Sequence, residues 1–239
     1  MDRETIAGRL RINGIPFRPE LPEKLEIYLR LLREWNEKMD LTAVEGEEET
    51  LDRHFLDSLT VLKTDLLSGA ETLIDVGTGA GFPGMVLALA RPETAVTLLD
   101  SQQKRLTFLE AVTAATGAEN VRLIHARAED GARKAELRER FDAACARAVA
   151  PLNVLCELLL PYVRTGGRML CWKGPGLEAE IESGRRAAFL LGGRTEEPVF
   201  CPLAGRDWDH RILPVVKISP TPKMYPRKAG TPKKMPLGI

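Results

Sequence analysis

Apolar and polar positions divide the chain into three stretches. Across residues 1–65 the apolar positions recur at helical spacing, with Leu25, Tyr28, Leu32, Trp35 and Met39 punctuating a charged run that Pro22 can open. A further helix is predicted after Gly46, with Glu47, Glu48 and Glu49 in a first turn where the helix dipole favours acids and Leu51, Phe55, Leu59 and Leu62 as its buried stripe. Across residues 66–219 short apolar runs alternate with helical segments, the pattern of parallel strands joined by crossover helices. Strands are expected at 73–76, 95–99, 121–125, 141–146 and 168–172. The runs at 198–201 and 211–218 have no helix between them and predict an antiparallel pair closing the sheet.

The strand at 73–76 breaks into Gly77-Thr78-Gly79-Ala80-Gly81-Phe82-Pro83-Gly84. Glycines there can take positive φ and leave bare backbone against a ligand, while the following helix aims its first amides at it. A nucleotide-like cofactor is therefore expected. Gly79, Gly81 and Gly84 also satisfy the dinucleotide pattern G-x-G-x-x-G, with Asp100 at the end of the next strand, so NAD stays open. Two details favour S-adenosylmethionine. Asp75 lies inside the strand, where an acid attracts a sulfonium and an amino group but repels a pyrophosphate, and Phe82-Pro83 replaces small residues. Asp100 can accept the hydroxyls of an adenosine ribose, which both cofactors contain. An acid leaving the 121–125 strand, in Arg127-Ala128-Glu129-Asp130, suits either an adenine amino group or a helix start. Arg147 ends the 141–146 run at the strand edge where ligands bind, and Lys173-Gly174-Pro175-Gly176 reads as a mobile basic loop over the same edge.

Charge and composition narrow the field further. The 239 residues carry no formal net charge, so binding to a polyanion has to come from segregated cations. These gather at 220–239, where Lys223, Arg227, Lys228, Lys233 and Lys234 alternate with Pro220, Pro222, Pro226, Pro232 and Pro236 and no acid occurs. A non-helical tail is expected there, either merely disordered or laid along a nucleic-acid backbone with Tyr225 stacking on a base. The four cysteines and three histidines are scattered without metal-ligand spacing, so no metal is expected. Neither a signal sequence nor a membrane span is apparent, and the expected location is the cytoplasm. His54, Asp57 and Ser58 share one face of the second helix, as a local polar cluster or as part of a site.

Several signatures run almost end to end: Trp35-Asn36 with Leu41-Thr42, His54 with Asp57-Ser58, the stretch from Asp75 to Gly84, Arg127-Ala128-Glu129, Arg147-Ala148, Lys173-Gly174, and Tyr225-Pro226-Arg227 with Gly230 and Pro232. In this order they resemble the RsmG (GidB) family of 16S ribosomal RNA guanine-N7 methyltransferases. The resemblance implies a class I, Rossmann-like α/β fold: a mainly parallel seven-stranded sheet with a C-terminal antiparallel hairpin and an N-terminal helical appendage. It implies S-adenosylmethionine as cofactor, with Gly77, Thr78, Gly79 and Phe82 at its methionine end, Asp100 and Ser101 at the ribose, Ala128 and Glu129 at the adenine, and Arg147 in the neighbouring crevice. It implies RNA-facing roles for His54, Asp57, Ser58, Lys173, Arg211, Tyr225, Arg227 and Lys228, with 16S ribosomal RNA or the small subunit as partner. A guanine N7 has no proton to lose, so no catalytic base is expected. The alternatives are an NAD-dependent oxidoreductase and a non-catalytic RNA-binding assembly factor.

Overall fold

The computed structural model describes residues 1–147 and 149–239; Ala148, from the Arg147-Ala148 signature, lies outside the described residues. Its strands are β1 (Thr72–Val76), β2 (Ala95–Asp100), β3 (Val121–His125), β4 (Phe141–Arg147), β5 (Val163–Lys173), β6 (Gly193–Thr195), β7 (Val199–Phe200) and β8 (Arg211–Lys217). They form one sheet in the order β3-β2-β1-β4-β5-β8-β6, with β7 pairing β8 off this path. The first five are mutually parallel, and β8 runs antiparallel to both β5 and β6. Strand order reverses between β1 and β4, and the carboxyl ends at such a point frame a ligand crevice.

Both faces of the sheet are covered, which is why its central strands β1, β2 and β4 are largely buried and apolar rather than alternating. Leu73 and Leu98 join one core with Leu10, Leu25, Tyr28 and Phe55 from the N-terminal helices α1 (Arg3–Ile12), α2 (Leu21–Met39) and the Glu47–Lys63 region. Ile74, Leu99 and Ala144 join the other core with Leu155 and Tyr162. The N-terminal helices are thus continuous with the sheet's packing. Helix α2 grips the glycine loop directly: Tyr28 donates its hydroxyl hydrogen to the Ala80 carbonyl and stacks on Phe82 at 5.5 Å between centroids.

The second predicted helix is a composite of α3 (Glu47–Thr50), a π turn at Leu51–Leu56, α4 (Asp57–Leu59) and a 3-10 turn at Thr60–Lys63. Of its expected stripe Leu51, Phe55 and Leu59 are buried, as the spacing predicts, and Leu62 is half-buried against the same core. The wide turn sends the Asp57 amide to the Asp52 carbonyl and re-aims His54 and Asp57 toward the sheet, a use such turns often serve at functional sites. The remaining helices are α5 (Gly84–Ala90), α6 (Gln103–Thr116), α7 (Ala128–Gly131), α8 (Leu152–Leu159), α9 (Leu177–Leu190) and α10 (Thr231–Lys234).

The expected antiparallel pair closes the sheet, with β7 on the start of β8, and β6, three residues with no apolar run, pairs the end of β8. Two expectations need correction. The fifth strand begins at Val163, because Gly166 and Gly167 form an irregularity within it rather than a turn before it. The tail contains the short helix α10 and is docked along its length. Arg138 donates to the Thr221 and Tyr225 carbonyls at 2.9 Å, and Asn153 to the Leu237 carbonyl at 2.9 Å. Arg227 holds both oxygens of the buried Glu157, from Nε at 2.9 Å and from Nη2 at 2.6 Å.

Candidate active site

Most of the residues assigned to a cofactor meet in one crevice at the carboxyl ends of β1 and β2. Gly77, Thr78, Gly79, Phe82, Asp100, Ser101 and Arg147 line it, joined by Leu41, Thr42, His54 and Arg105, around a volume of about 420 Å³. Gly79 has φ +61°, and a Cβ added there would meet only the Gly77 oxygen at 4.0 Å, so it would project into the open crevice. Asp100 Oδ2 accepts the Gly79 amide at 2.9 Å and Oδ1 the Gln102 amide at 2.8 Å, which fixes the carboxylate at the rim. Oδ2 also receives Arg105 Nη1 at 3.4 Å, so of the roughly four lone-pair sites of a carboxylate about one remains for a ribose hydroxyl. Bare glycine backbone beside a fixed acid on the second strand fits an adenosine-containing cofactor. The crevice therefore suits S-adenosylmethionine.

Asp75 does not face this crevice. It is fully buried under the loop, where Oδ2 accepts the Thr78 hydroxyl at 2.7 Å and the Gly84 amide at 2.9 Å. Burial raises its pKa to about 6 despite those two hydrogen bonds, and Oδ1 has no partner among the described residues. Gly84 is required here, because a Cβ would come within 2.5 Å of the Asp75 Cβ. Asp75 holds the loop from behind and is not among the residues that line the crevice.

A second cavity of about 430 Å³ opens beside the first, and the two share His54 and Arg147. Arg53, Asp57, Lys173 and His210 also line it. Arg147 Nη1 donates to Asp57 Oδ2 at 3.0 Å, Nη2 to His54 Nδ1 at 3.0 Å, and the guanidinium lies over the Phe82 ring at 5.3 Å. Asp57 Oδ1 accepts His210 Nδ1 at 2.9 Å, and its carbonyl accepts the Trp172 indole N–H at 3.0 Å. The arginine has only hydrogens to give, so His54 accepts at Nδ1 and carries its own hydrogen at Nε2, which it donates to Thr42 Oγ1 at 2.6 Å. Burial first, then the Arg147 charge, lowers the His54 pKa to about 4. The result is a chain running His210, Asp57, Arg147, His54, Thr42 along one wall of both cavities.

Other assigned residues fall elsewhere. Ala128 and Glu129 do not line the crevice; the Ala128 carbonyl accepts the Tyr162 hydroxyl at 2.6 Å, and Glu129 Oε1 accepts the Gly230 amide at 2.8 Å. Ser58 is buried and returns its hydroxyl hydrogen to the His54 carbonyl. Lys173 does line the second cavity, but its ammonium is held by Glu180 at 2.6 Å and the Ala150 carbonyl at 3.2 Å, so it is not part of a free basic loop. Arg211 is clamped by Asp209 and Glu178. Tyr225 packs against the second core and Arg227 is paired with Glu157, while Lys228 is exposed. His210 was not singled out by the sequence. Its signal is its place just before β8, whose first residue, Arg211, pairs with Lys173 at the crevice edge.

Among the described residues, no group of three or more His, Cys, Asp or Glu side chains is placed to hold a metal ion, and no helix is long and apolar enough to cross a membrane. The cofactor-bound protein Rv0187 from MTB superposes with a TM-score of 0.56 at 18% identity, covering 92% of this chain and 99% of that one. The 16S rRNA (adenine(1408)-N(1))-methyltransferase from Catenulisporales acidiphilia gives 0.51 at 20% identity, covering 63% and 89%. These likenesses bear on the fold. In sequence, Ribosomal RNA small subunit methyltransferase G of Clostridium perfringens is 46% identical over 224 residues, 94% of each chain. The protein of that name from Lachnoclostridium phytofermentans is 42% identical over 236 residues, 99% of this chain and 98% of its own. Both relatives are methyltransferases by name, which sets aside the oxidoreductase alternative. Residues 21–207 match the model of GidB, rRNA small subunit methyltransferase G, and the chain belongs to that family of S-adenosylmethionine-dependent rRNA methyltransferases.

Proposed function

We propose that this protein transfers the methyl group of S-adenosylmethionine to N7 of a guanosine in 16S ribosomal RNA, free or within the small subunit, in the cytoplasm. The observation that carries this reading is the junction of the two cavities at His54 and Arg147. A base held in the outer cavity has its edge toward the crevice that suits the methyl donor.

When bound, S-adenosylmethionine supplies a methyl group on a positively charged sulfur. The protein's own task is alignment, holding the acceptor atom in line at about 3 to 3.5 Å, which is worth several kcal/mol of barrier. N7 offers a lone pair and no proton, so no side chain has to remove one. His54 is unsuited to do so, because Arg147 occupies its Nδ1 lone pair and Nε2 bears hydrogen. Positive charge passes from sulfur to the guanine ring during transfer, and an uncompensated cation against that ring would oppose the step. Here Arg147 is matched by Asp57 and Lys173 by Glu180, and His54 is neutral. The two cations can then orient guanine O6 or a phosphate while adding little net charge.

The test is to incubate the protein with S-adenosylmethionine and unmodified 16S rRNA or small subunits, then digest the RNA and identify the methylated nucleoside by mass spectrometry. The expected product is 7-methylguanosine. A methyl group on an exocyclic nitrogen or a ribose would refute the reading, as would no transfer to either substrate.

A further inference from the structure

Thr42 stands in the loop between α2 and α3 and lines the crevice together with Gly77, Thr78 and Gly79. Its backbone is fixed, since the Thr42 amide donates to Asn36 Oδ1 at 2.8 Å. Its hydroxyl oxygen receives two hydrogen bonds, from His54 Nε2 at 2.6 Å and from the Val44 amide at 3.1 Å. The direction of the first follows from Arg147, which forces His54 to accept at Nδ1 and hence to donate at Nε2. Both lone pairs of the Thr42 oxygen are therefore spent, and its own hydrogen points in the remaining direction. Among the described residues no acceptor takes it. A hydroxyl with a forced, unused donor on the wall of a ligand crevice is built for an acceptor on the ligand.

We propose that Thr42 donates this hydrogen to the carboxylate of the methionine part of S-adenosylmethionine, an inference that rests on reading the crevice as the methyl-donor site. The sheet order argues for that end of the cofactor. Thr42 is tied through His54 to Arg147 on β4, whereas Asp100, the group suited to ribose, ends β2 on the far side of β1. Of the polar groups at the methionine end, the ammonium has no lone pair and the sulfonium's single pair sits on a positively charged sulfur that accepts no hydrogen bond. The carboxylate accepts one, and a hydrogen bond to it is charge-assisted.

Calorimetry with three ligands tests this without turnover: S-adenosylmethionine, S-adenosylhomocysteine and 5′-methylthioadenosine, which keeps the adenosine and lacks the amino-acid part. Thr42→Val should bind the first two roughly tenfold more weakly or worse, while 5′-methylthioadenosine binds it as it binds the wild type. Thr42→Ser, which keeps the hydroxyl, should restore the loss. An equal loss for all three ligands overturns the proposal, because the residue then only shapes the loop. Unchanged affinity for S-adenosylmethionine in Thr42→Val overturns it as well, even if RNA binding falls. Should the wild type itself fail to bind S-adenosylmethionine, the reading of the crevice fails and takes this proposal with it.

Discussion

Arg147 Nη2 lies 3.0 Å from His54 Nδ1, and the contact has only one possible direction, because a guanidinium is a donor and nothing else. The histidine is thereby held neutral, in one tautomer, beside a permanent cation. Burial and that cation together take its pKa to about 4, against 6.5 for the unperturbed ring.

This gives a stability prediction with a definite sign. Between pH 6.5 and 4 the unfolded chain binds a proton at His54 that the folded chain refuses, so the His54 contribution is whole above pH 6.5 and is lost as pH falls toward 4. The full effect is on the order of 3 kcal/mol. Asp75 works in the opposite sense, its raised pKa taking stability away as pH rises from 3.8 to about 6, so His54 has to be isolated by difference. Urea unfolding of the wild type and His54→Gln at several pH values should show the gap between them shrinking as the solution is acidified. A gap independent of pH would contradict the assignment.

Asp57 bridges Arg147 and His210 from a buried position. Asp57→Asn should leave Arg147 without its compensating charge, costing about 3 to 5 kcal/mol of stability. Arg147→Ala, which strands Asp57 instead, should cost a similar amount. The double variant should cost less than the sum, and strict additivity in thermal unfolding would show that the pair does not interact.

How much of this was legible beforehand differs from residue to residue. The glycine loop, Asp100 and the strand-end Arg147 were legible because backbone need and strand position leave a local trace, and the crevice joins them. Asp75 was legible as an acid but not as to which way it faces, since one residue in a strand points to one face or the other and both faces are buried here. The tail misled more. A run of cations and prolines resembles a free basic arm, yet Glu157, seventy residues away in sequence, makes Arg227 a docking residue. Likewise β6 leaves no apolar run because only three residues take part. Partners distant along the chain account for both cases.

Arg227 and Lys228 therefore separate by their effects. Arg227→Ala strands the carboxylate of Glu157, whose side chain is 1% exposed, and should cost about 3 to 5 kcal/mol of stability. Lys228→Ala, at an exposed position, should leave stability within about 0.5 kcal/mol. If Lys228 meets a phosphate, its loss should also reduce the salt slope of RNA binding by about one unit. Filter binding across a salt series and thermal unfolding read the two effects. Equal stability loss in both variants would contradict the distinction.

Gly79→Val combines a positive φ that a branched side chain resists with a Cβ directed into the open crevice. Binding of S-adenosylmethionine should be abolished while far-ultraviolet circular dichroism stays that of the wild type. Retained affinity would place the cofactor elsewhere.

The central claim is that the chemical step needs alignment and no base. The direct measurement is the single-turnover rate of methyl transfer as a function of pH, with RNA and S-adenosylmethionine saturating. The predicted profile is nearly flat from about pH 6.5 to 9, because the acceptor N7 has no proton to lose and His54 is already neutral throughout. A rate that climbs about tenfold per pH unit across that window would mean that a base has to deprotonate before transfer, and would contradict it.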